Sequence, residues 1–120
     1  VVYTAIDKDN PATTSRHAVE SIIRGELGFD GLLMSDDVSM KALSGDFASR
    51  TDAILAAGCD VVLHCNGLME EMRAVAERAP VLSGKALERA RKAVAGLAVQ
   101  DNADEKQVRN EFASLMEAVA

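Results

Sequence analysis

Residues 28–40 carry the sequence Gly-Phe-Asp-Gly-Leu-Leu-Met-Ser-Asp-Asp-Val-Ser-Met. The apolar run inside this stretch predicts a strand over 31–35, because a short apolar run between turn signals is typical of a buried strand in a parallel sheet. Sites in parallel sheets form where strands end at their carboxyl edge. Asp36 and Asp37 are therefore the first candidates for a functional site. The alternative is that one of them caps the segment that follows, since Asp is a common cap residue.

The chain alternates between strand and helix patterns on both sides of this stretch. Strands are predicted where strand-forming residues run without helical spacing, and helices where apolar residues recur every third or fourth position. Helix starts and stops follow from capping residues such as Ser15 and Gly28. The predicted strands are 1–6, 31–35 and 60–65, and the predicted helices are 15–27, 47–57 and 68–79.

The alternation ends after Pro80. Two further helices are predicted within 81–120, with apolar positions that reach Leu97 in the first and Val119 in the second, and a polar break at 100–104 separates them. Two helices joined by a short connection favour an antiparallel hairpin.

This order of elements predicts the α/β class with parallel strands and right-handed crossovers. We expect a single partial domain, with three βα units at 1–80 and C-terminal helices at 81–120. Three strands form a thin sheet whose edges need partners. Either the edges pair with a second copy of the chain, or the chain belongs to something larger.

The composition narrows the class of partner. A formal net charge of −6 argues against a nucleic-acid or anionic membrane surface as the main partner. The longest apolar stretches are far shorter than a membrane span, and the start of the chain has no signal-peptide pattern. Cys59 and Cys65 are too few for a disulfide framework, so a reducing, cytosolic setting is expected.

The residues in the chain limit the chemistry of the candidate site. Adjacent strand residues point to opposite faces, so Asp36 and Asp37 cannot form an acid/base pair with each other. The spacing of His17, His64 and the cysteines matches no metal site, and the glycines form neither a phosphate loop nor a dinucleotide fingerprint. No cofactor is expected, and His64 is interpreted as a structural residue.

At residues 28–40 the sequence resembles the nucleophile segment of glycoside hydrolase family 3. Within that family it is most similar to the bacterial β-N-acetylglucosaminidases of peptidoglycan recycling. The similarity extends without gaps over about the first 95 residues, and its flanking segments are 1–3, 10–13, 57–60 and 64–66.

The resemblance implies a (β/α)8 barrel of which this chain supplies the last three βα units. It also implies a retaining mechanism in which Asp36 is the nucleophile and terminal N-acetylglucosamine is released from cell-wall muropeptides. Asp37 then points away from the sugar and holds the strand end, and Met40 lines the sugar pocket. His64 and Asn66 border the same pocket without an assigned role.

The family's acid/base dyad and most of its sugar-holding residues have no counterpart in this sequence. General acid–base catalysis is worth roughly 10²–10⁴-fold in rate. We therefore expect the 120-residue chain alone to be inactive and the longer parent enzyme to be active.

Two other interpretations remain open at this point. A receiver-type phosphoacceptor domain has this length and an acidic pair after a buried strand, but its phosphorylated Asp would fall on His64 or Cys65. The chain is alternatively a non-catalytic module that self-associates through its strand edges, as in a domain-swapped oligomer.

Overall fold

The computed structural model describes residues 1–96 and 103–117. Its described part combines helices with a small parallel sheet, which confirms the predicted α/β class. The barrel remains a prediction. In chain order the elements are a 3-10 turn (Ala12–Thr14), a π-helix (His17–Glu26), β1 (Met34–Asp37), α1 (Phe47–Ala57), β2 (Val61–Leu63), α2 (Met69–Arg78), α3 (Gly84–Ala95) and α4 (Glu105–Glu117).

The strand predicted at 1–6 is wrong. Residues 4–6 form a turn, in which the Tyr3 carbonyl accepts hydrogen bonds from the N–H groups of Ile6 at 2.8 Å and Asp7 at 2.9 Å. The strand-forming side chains lie in solvent, and Val1 is 70% exposed. Because strand propensity describes fit to a half-buried pleated surface, these residues do not form a strand without a neighbour to pair with.

The second predicted strand is present but begins later than expected. β1 (Met34–Asp37) contains both acids and only the last residue of the apolar run, and it pairs in parallel with β2. The expectation of a buried strand is met at Ser35, which is buried, but is wrong for Met34, which is 53% exposed. Burial alternates along β1, so the face that carries Ser35 is covered and the face that carries Met34 and Asp36 is open.

Helix α1 lies at the centre of the packing, and its bounds agree with the predicted 47–57. Asp46 caps it by accepting a hydrogen bond from the Ser49 N–H at 2.8 Å, and Gly58 ends it in the left-handed conformation with φ 109°. Ile54 is fully buried. The core that surrounds it comprises Val19, Val38, Leu43, Ala57, Cys59 and Val75.

The other predicted helices are also present. Ser15 begins the first of them, because its Oγ accepts a hydrogen bond from the Ala18 N–H at 3.1 Å. No residue of α3 or of the described part of α4 is buried, and the hairpin arrangement stays a prediction. Leu97, Val119 and most of the predicted break at 100–104 lie outside the described residues. None of the described helices is long and apolar enough to cross a membrane.

Asp60 joins the amino ends of the two strands. Its carboxylate, with a side chain only 6% exposed, pairs with Arg24 at 2.8 Å and with Arg89 of α3 at 3.1 Å. It also accepts a hydrogen bond from the Leu33 N–H at 2.8 Å. The buried charge is thereby fully paired, and α3 is tied to the residues that lead into the two strands.

Candidate active site

The carboxyl ends of β1 and β2 lie side by side, as parallel strands require. The Val38 N–H, just beyond β1, donates to the Leu63 carbonyl at the end of β2 over 2.9 Å. The strand pleat separates the two acids: Asp36 is exposed and Asp37 is partly buried. This separation follows the alternation of side chains along a strand.

Asp36 presents its carboxylate to solvent. Among the described residues, the hydrogen bond to this carboxylate comes from the Asp37 backbone N–H, which donates to Asp36 Oδ1 over 2.8 Å. Oδ2 is left without a protein donor in the described part of the chain. An accessible carboxylate held at one oxygen is suited to attack an electrophile with the other.

Asp37 binds the protein instead. Its carboxylate accepts hydrogen bonds from the Ser39 N–H at 3.0 Å, from the Ser39 hydroxyl, and from the Cys65 N–H at 3.2 Å. These donors hold the pKa of Asp37 below its usual value, with the Ser39 hydroxyl contributing most. The predicted role of Asp37 in holding the strand end agrees with this geometry.

A network of side chains continues from Asp37 to helix α2; we call Asp37, Ser39, His64, Asn66 and Glu71 the strand-end network. Glu71 Oε2 lies 2.8 Å from His64 Nε2 and accepts a hydrogen bond from Asn66 Nδ2 at 2.9 Å. The amide oxygen of Asn66 lies 3.2 Å from Ser39 Oγ. The hydrogen bond from His64, with that from Asn66, lowers the pKa of Glu71.

His64 is packed against α1 and α2, and its position at the border of the sugar pocket stays a prediction. Its side chain is 8% exposed, and its ring packs edge-on against Phe47 with the centroids 5.7 Å apart. Together with the Glu71 carboxylate, this contact fixes the residue that follows β2.

Met40 lies just beyond β1 in the loop that the resemblance assigns to the sugar pocket. Its side chain is half-buried and packs against the core cluster, and its carbonyl accepts a hydrogen bond from the Leu43 N–H at 3.1 Å. The loop is therefore ordered by packing, and contact between Met40 and a sugar stays a prediction.

Arg50 fixes the shape of the same loop from helix α1. Its guanidinium donates to the carbonyls of Val38 at 3.1 Å and Gly45 at 3.0 Å, and it lies over the Phe47 ring at 5.4 Å. One cation thus satisfies loop carbonyls at both ends of the segment.

Sequence reasoning missed Ser39, Arg50 and Glu71. Ser39 carries a local signal, because an Asp side chain commonly accepts a hydrogen bond from the backbone N–H two residues later, as the Asp37 carboxylate does here. Arg50 and Glu71 carry none, since their partners are set by how α1 and α2 pack. In the part of the chain that the structure describes, His, Cys, Asp and Glu form no cluster that could hold a metal ion.

The sequence is similar to those of several known proteins. The chain is 48% identical over 68 residues to a protein named beta-hexosaminidase from Bordetella avium (strain 197N), a match that covers 55% of this chain and 19% of that protein. It is 52% identical over 68 residues to a beta-hexosaminidase from Pseudomonas aeruginosa (strain LESB58), covering 55% of this chain and 20% of that protein. The match spans about a fifth of the length of these curated relatives.

The family match is broader than the match to any of these relatives. Residues 1–98 fit the sequence model of the glycosyl hydrolase family 3 N terminal domain. This range includes both strands, both acids and the whole strand-end network. The chain therefore belongs to glycosyl hydrolase family 3.

Proposed function

We propose that this chain supplies the nucleophile of a retaining β-N-acetylhexosaminidase, and that Asp36 is that nucleophile. The observation that carries the proposal is the exposed Asp36 carboxylate at the carboxyl end of a parallel strand, in a chain of glycosyl hydrolase family 3. The relatives named beta-hexosaminidase support the choice of sugar.

The geometry suggests which oxygen reacts. The Asp37 N–H occupies Asp36 Oδ1, so Oδ2 attacks the anomeric carbon while an acid protonates the departing glycosidic oxygen. The bond from carbon to the leaving group breaks as the bond to Asp36 forms. Water then opens the glycosyl-enzyme, and the same acid, now acting as a base, takes the proton from that water.

The substrate and setting are part of the proposal. The sugar is a terminal N-acetylglucosamine of a cell-wall muropeptide, and Met40 lines its pocket. The proposed setting is reducing and cytosolic, because two cysteines are too few for a disulfide framework.

The acid/base group and most sugar contacts are proposed to come from a longer protein that includes this chain, which we call the full-length hydrolase. The 120-residue chain alone is then inactive, because it lacks a term worth roughly 10²–10⁴-fold and most of the binding energy. Turnover of a chromogenic N-acetylglucosaminide by the purified chain would contradict this part of the proposal.

The test of the function is substitution of Asp36 in the full-length hydrolase. Asp36→Asn keeps the size of the side chain but removes the attacking charge, and we expect a loss of at least about 10³-fold in kcat. Glu77→Gln is the control, since Glu77 is also an exposed acid and lies in the last turn of α2. Near-normal turnover by Asp36→Asn would refute the assignment.

Two other interpretations were left open by the sequence, a receiver-type phosphoacceptor and a self-associating module. Family membership argues against the receiver-type phosphoacceptor, and phosphorylation by a small phosphodonor with Mg²⁺ would revive it. Self-association of the isolated chain remains a proposal, because the described sheet has only two strands and so two outer edges that could pair with another copy. Light scattering that finds a clean monomer would exclude it.

A further inference from the structure

Glu71 lies on helix α2, yet its carboxylate turns toward the end of β2. It is 21% exposed, and it contacts the two side chains that follow β2, His64 at 2.8 Å and Asn66 at 2.9 Å. One carboxylate therefore fixes two residues of the loop. Glu70, its neighbour in the same first turn of the helix, is exposed.

The contact with Glu71 determines how the Asn66 amide is turned. Because the carboxylate only accepts hydrogen bonds, the Asn66 Nδ2 group faces it, and Oδ1 is left facing Ser39 Oγ at 3.2 Å. The single hydroxyl proton of Ser39 is therefore shared in a bifurcated hydrogen bond, in which Asp37 Oδ2 is the nearer acceptor and Asn66 Oδ1, at 3.2 Å, the weaker one. The position of the Ser39 side chain therefore depends on Asp37, at the end of β1, and on Asn66, beyond the end of β2.

The hydrogen bonds continue from Ser39 through Asp37 to the proposed nucleophile Asp36. Ser39 binds the Asp37 carboxylate through both its N–H and its hydroxyl, and the Asp37 N–H donates to Asp36 Oδ1 over 2.8 Å. The backbone at Asp37 is therefore held by its own side chain while it holds Asp36. A displacement of about 1 Å at a reacting group costs up to about 10²-fold in rate.

We propose that Glu71 is a positioning residue of the hydrolase, which acts through Asn66, Ser39 and Asp37 to orient the Asp36 carboxylate. The inference rests on the proposed function of Asp36. Glu71 makes no hydrogen bond to the Asp36 carboxylate in the described structure, so its effect on the chemical step passes through the residues between them. Because His64 and Asn66 are expected to border the sugar pocket, the loss in kcat is compared with the change in KM.

The test compares Glu71→Gln with Glu70→Gln in the full-length hydrolase, using a chromogenic N-acetylglucosaminide. Both variants remove one negative charge from the first turn of α2, so helix stability and net charge change alike. We expect Glu71→Gln to lower kcat by about 10-fold or more, with KM changed by less than about twofold and the pH profile retained. Glu70→Gln keeps the kcat and KM of the wild type. Equal kcat in the two variants overturns the inference, as does a loss that appears only in KM.

A second variant distinguishes positioning from loss of the fold. Asn66→Ala changes an exposed residue and removes the link between Glu71 and Ser39. We expect it to lower kcat by a similar factor, with a thermal midpoint close to that of the wild type. Adding Glu71→Gln to Asn66→Ala then causes little further loss, because both changes break one path. If the loss of kcat in the double variant is the product of the two single losses, the inference is overturned. A normal kcat in Asn66→Ala also overturns it.

The controls separate this inference from the function on which it rests. If the wild-type enzyme turns over the substrate and Asp36→Asn does not, the proposed function holds and the Glu71 comparison decides the inference alone. If Asp36→Asn is as active as the wild type, both fail together.

Discussion

At the scale of single residues, the carboxylates of Asp36 and Asp37 differ in the donors around them. Asp36 receives one backbone hydrogen bond and faces solvent, whereas Asp37 receives three and joins two strand ends. Because side chains alternate along a strand, the sequence predicted that Asp36 and Asp37 point to opposite faces. The part played by Glu71 could not be predicted, because its partners lie five and seven residues away, across the turn from β2 into α2.

Asp7 provides a prediction about pH at this scale. Its carboxylate accepts a hydrogen bond from Ser15 Oγ at 2.6 Å and others from Asn10 and the Asp9 N–H. These bonds lower its pKa from 3.8 to about 2, with Ser15 contributing most. A depressed carboxyl pKa contributes stability above its ordinary value, and that stability is lost as the pH falls from about 4 to about 2.

We therefore expect Asp7→Ala to lower the thermal midpoint at pH 7, and the deficit relative to the wild type to shrink as the pH approaches 2. Asp9→Ala, which changes an exposed neighbour, should leave the midpoint unchanged at both pH values. Circular dichroism melts over this pH range measure the difference. A deficit that does not depend on pH would contradict the assigned cause.

At the scale of elements, local signals predicted the helices and long-range pairing determined the strands. Asp46 and Gly58 bound α1 where the sequence indicated, because a cap acts within its own turn. The strand at 1–6 was wrong and β1 began three residues late. A strand extends only as far as its partner pairs with it, and the partner is distant in sequence.

The end of α1 supplies a prediction for an element. Gly58 has φ 109°, and a Cβ there would lie 3.1 Å from Val19 Cγ1. Gly58→Ala should therefore lower the free energy of unfolding by more than about 1 kcal/mol. Gly96 ends α3 with φ −76° and open space around its Cα, so Gly96→Ala should be neutral or stabilising by up to about 1 kcal/mol.

Urea unfolding followed by circular dichroism measures both glycine variants. If Gly58→Ala and Gly96→Ala lower the free energy of unfolding equally, the left-handed conformation of Gly58 does not contribute to the loss, and the prediction is contradicted.

At the scale of the whole molecule, the α/β class was predictable and the extent of the sheet was not. Two described strands form the sheet, and its amino end is closed by a charged cluster of Asp30, Arg24, Asp60 and Arg89 that ties α3 to both strands. Charges so widely spaced in sequence give no motif. Packing alone brings them together.

The cluster leads to a prediction about stability. Asp60→Ala leaves two partly buried arginines without their shared partner, and it should lower the free energy of unfolding by about 3 kcal/mol. Asp52→Ala breaks an exposed pair with Arg78, whose side chains are 46% and 51% exposed, and should cost less than about 1 kcal/mol. Chemical denaturation of the two variants measures the contrast. Equal losses would mean that the Asp60 cluster adds nothing beyond a surface pair.

The central claim is that Asp36 forms a covalent bond with the sugar, and trapping that bond tests it most directly. The full-length hydrolase is incubated with a fluorinated N-acetylglucosaminide that slows hydrolysis of the glycosyl-enzyme, then digested and analysed by mass spectrometry. We predict one added glycosyl group, on the peptide that contains Asp36, and none in Asp36→Ala. A label on any other residue, or an active enzyme that never acquires a label, would contradict the account.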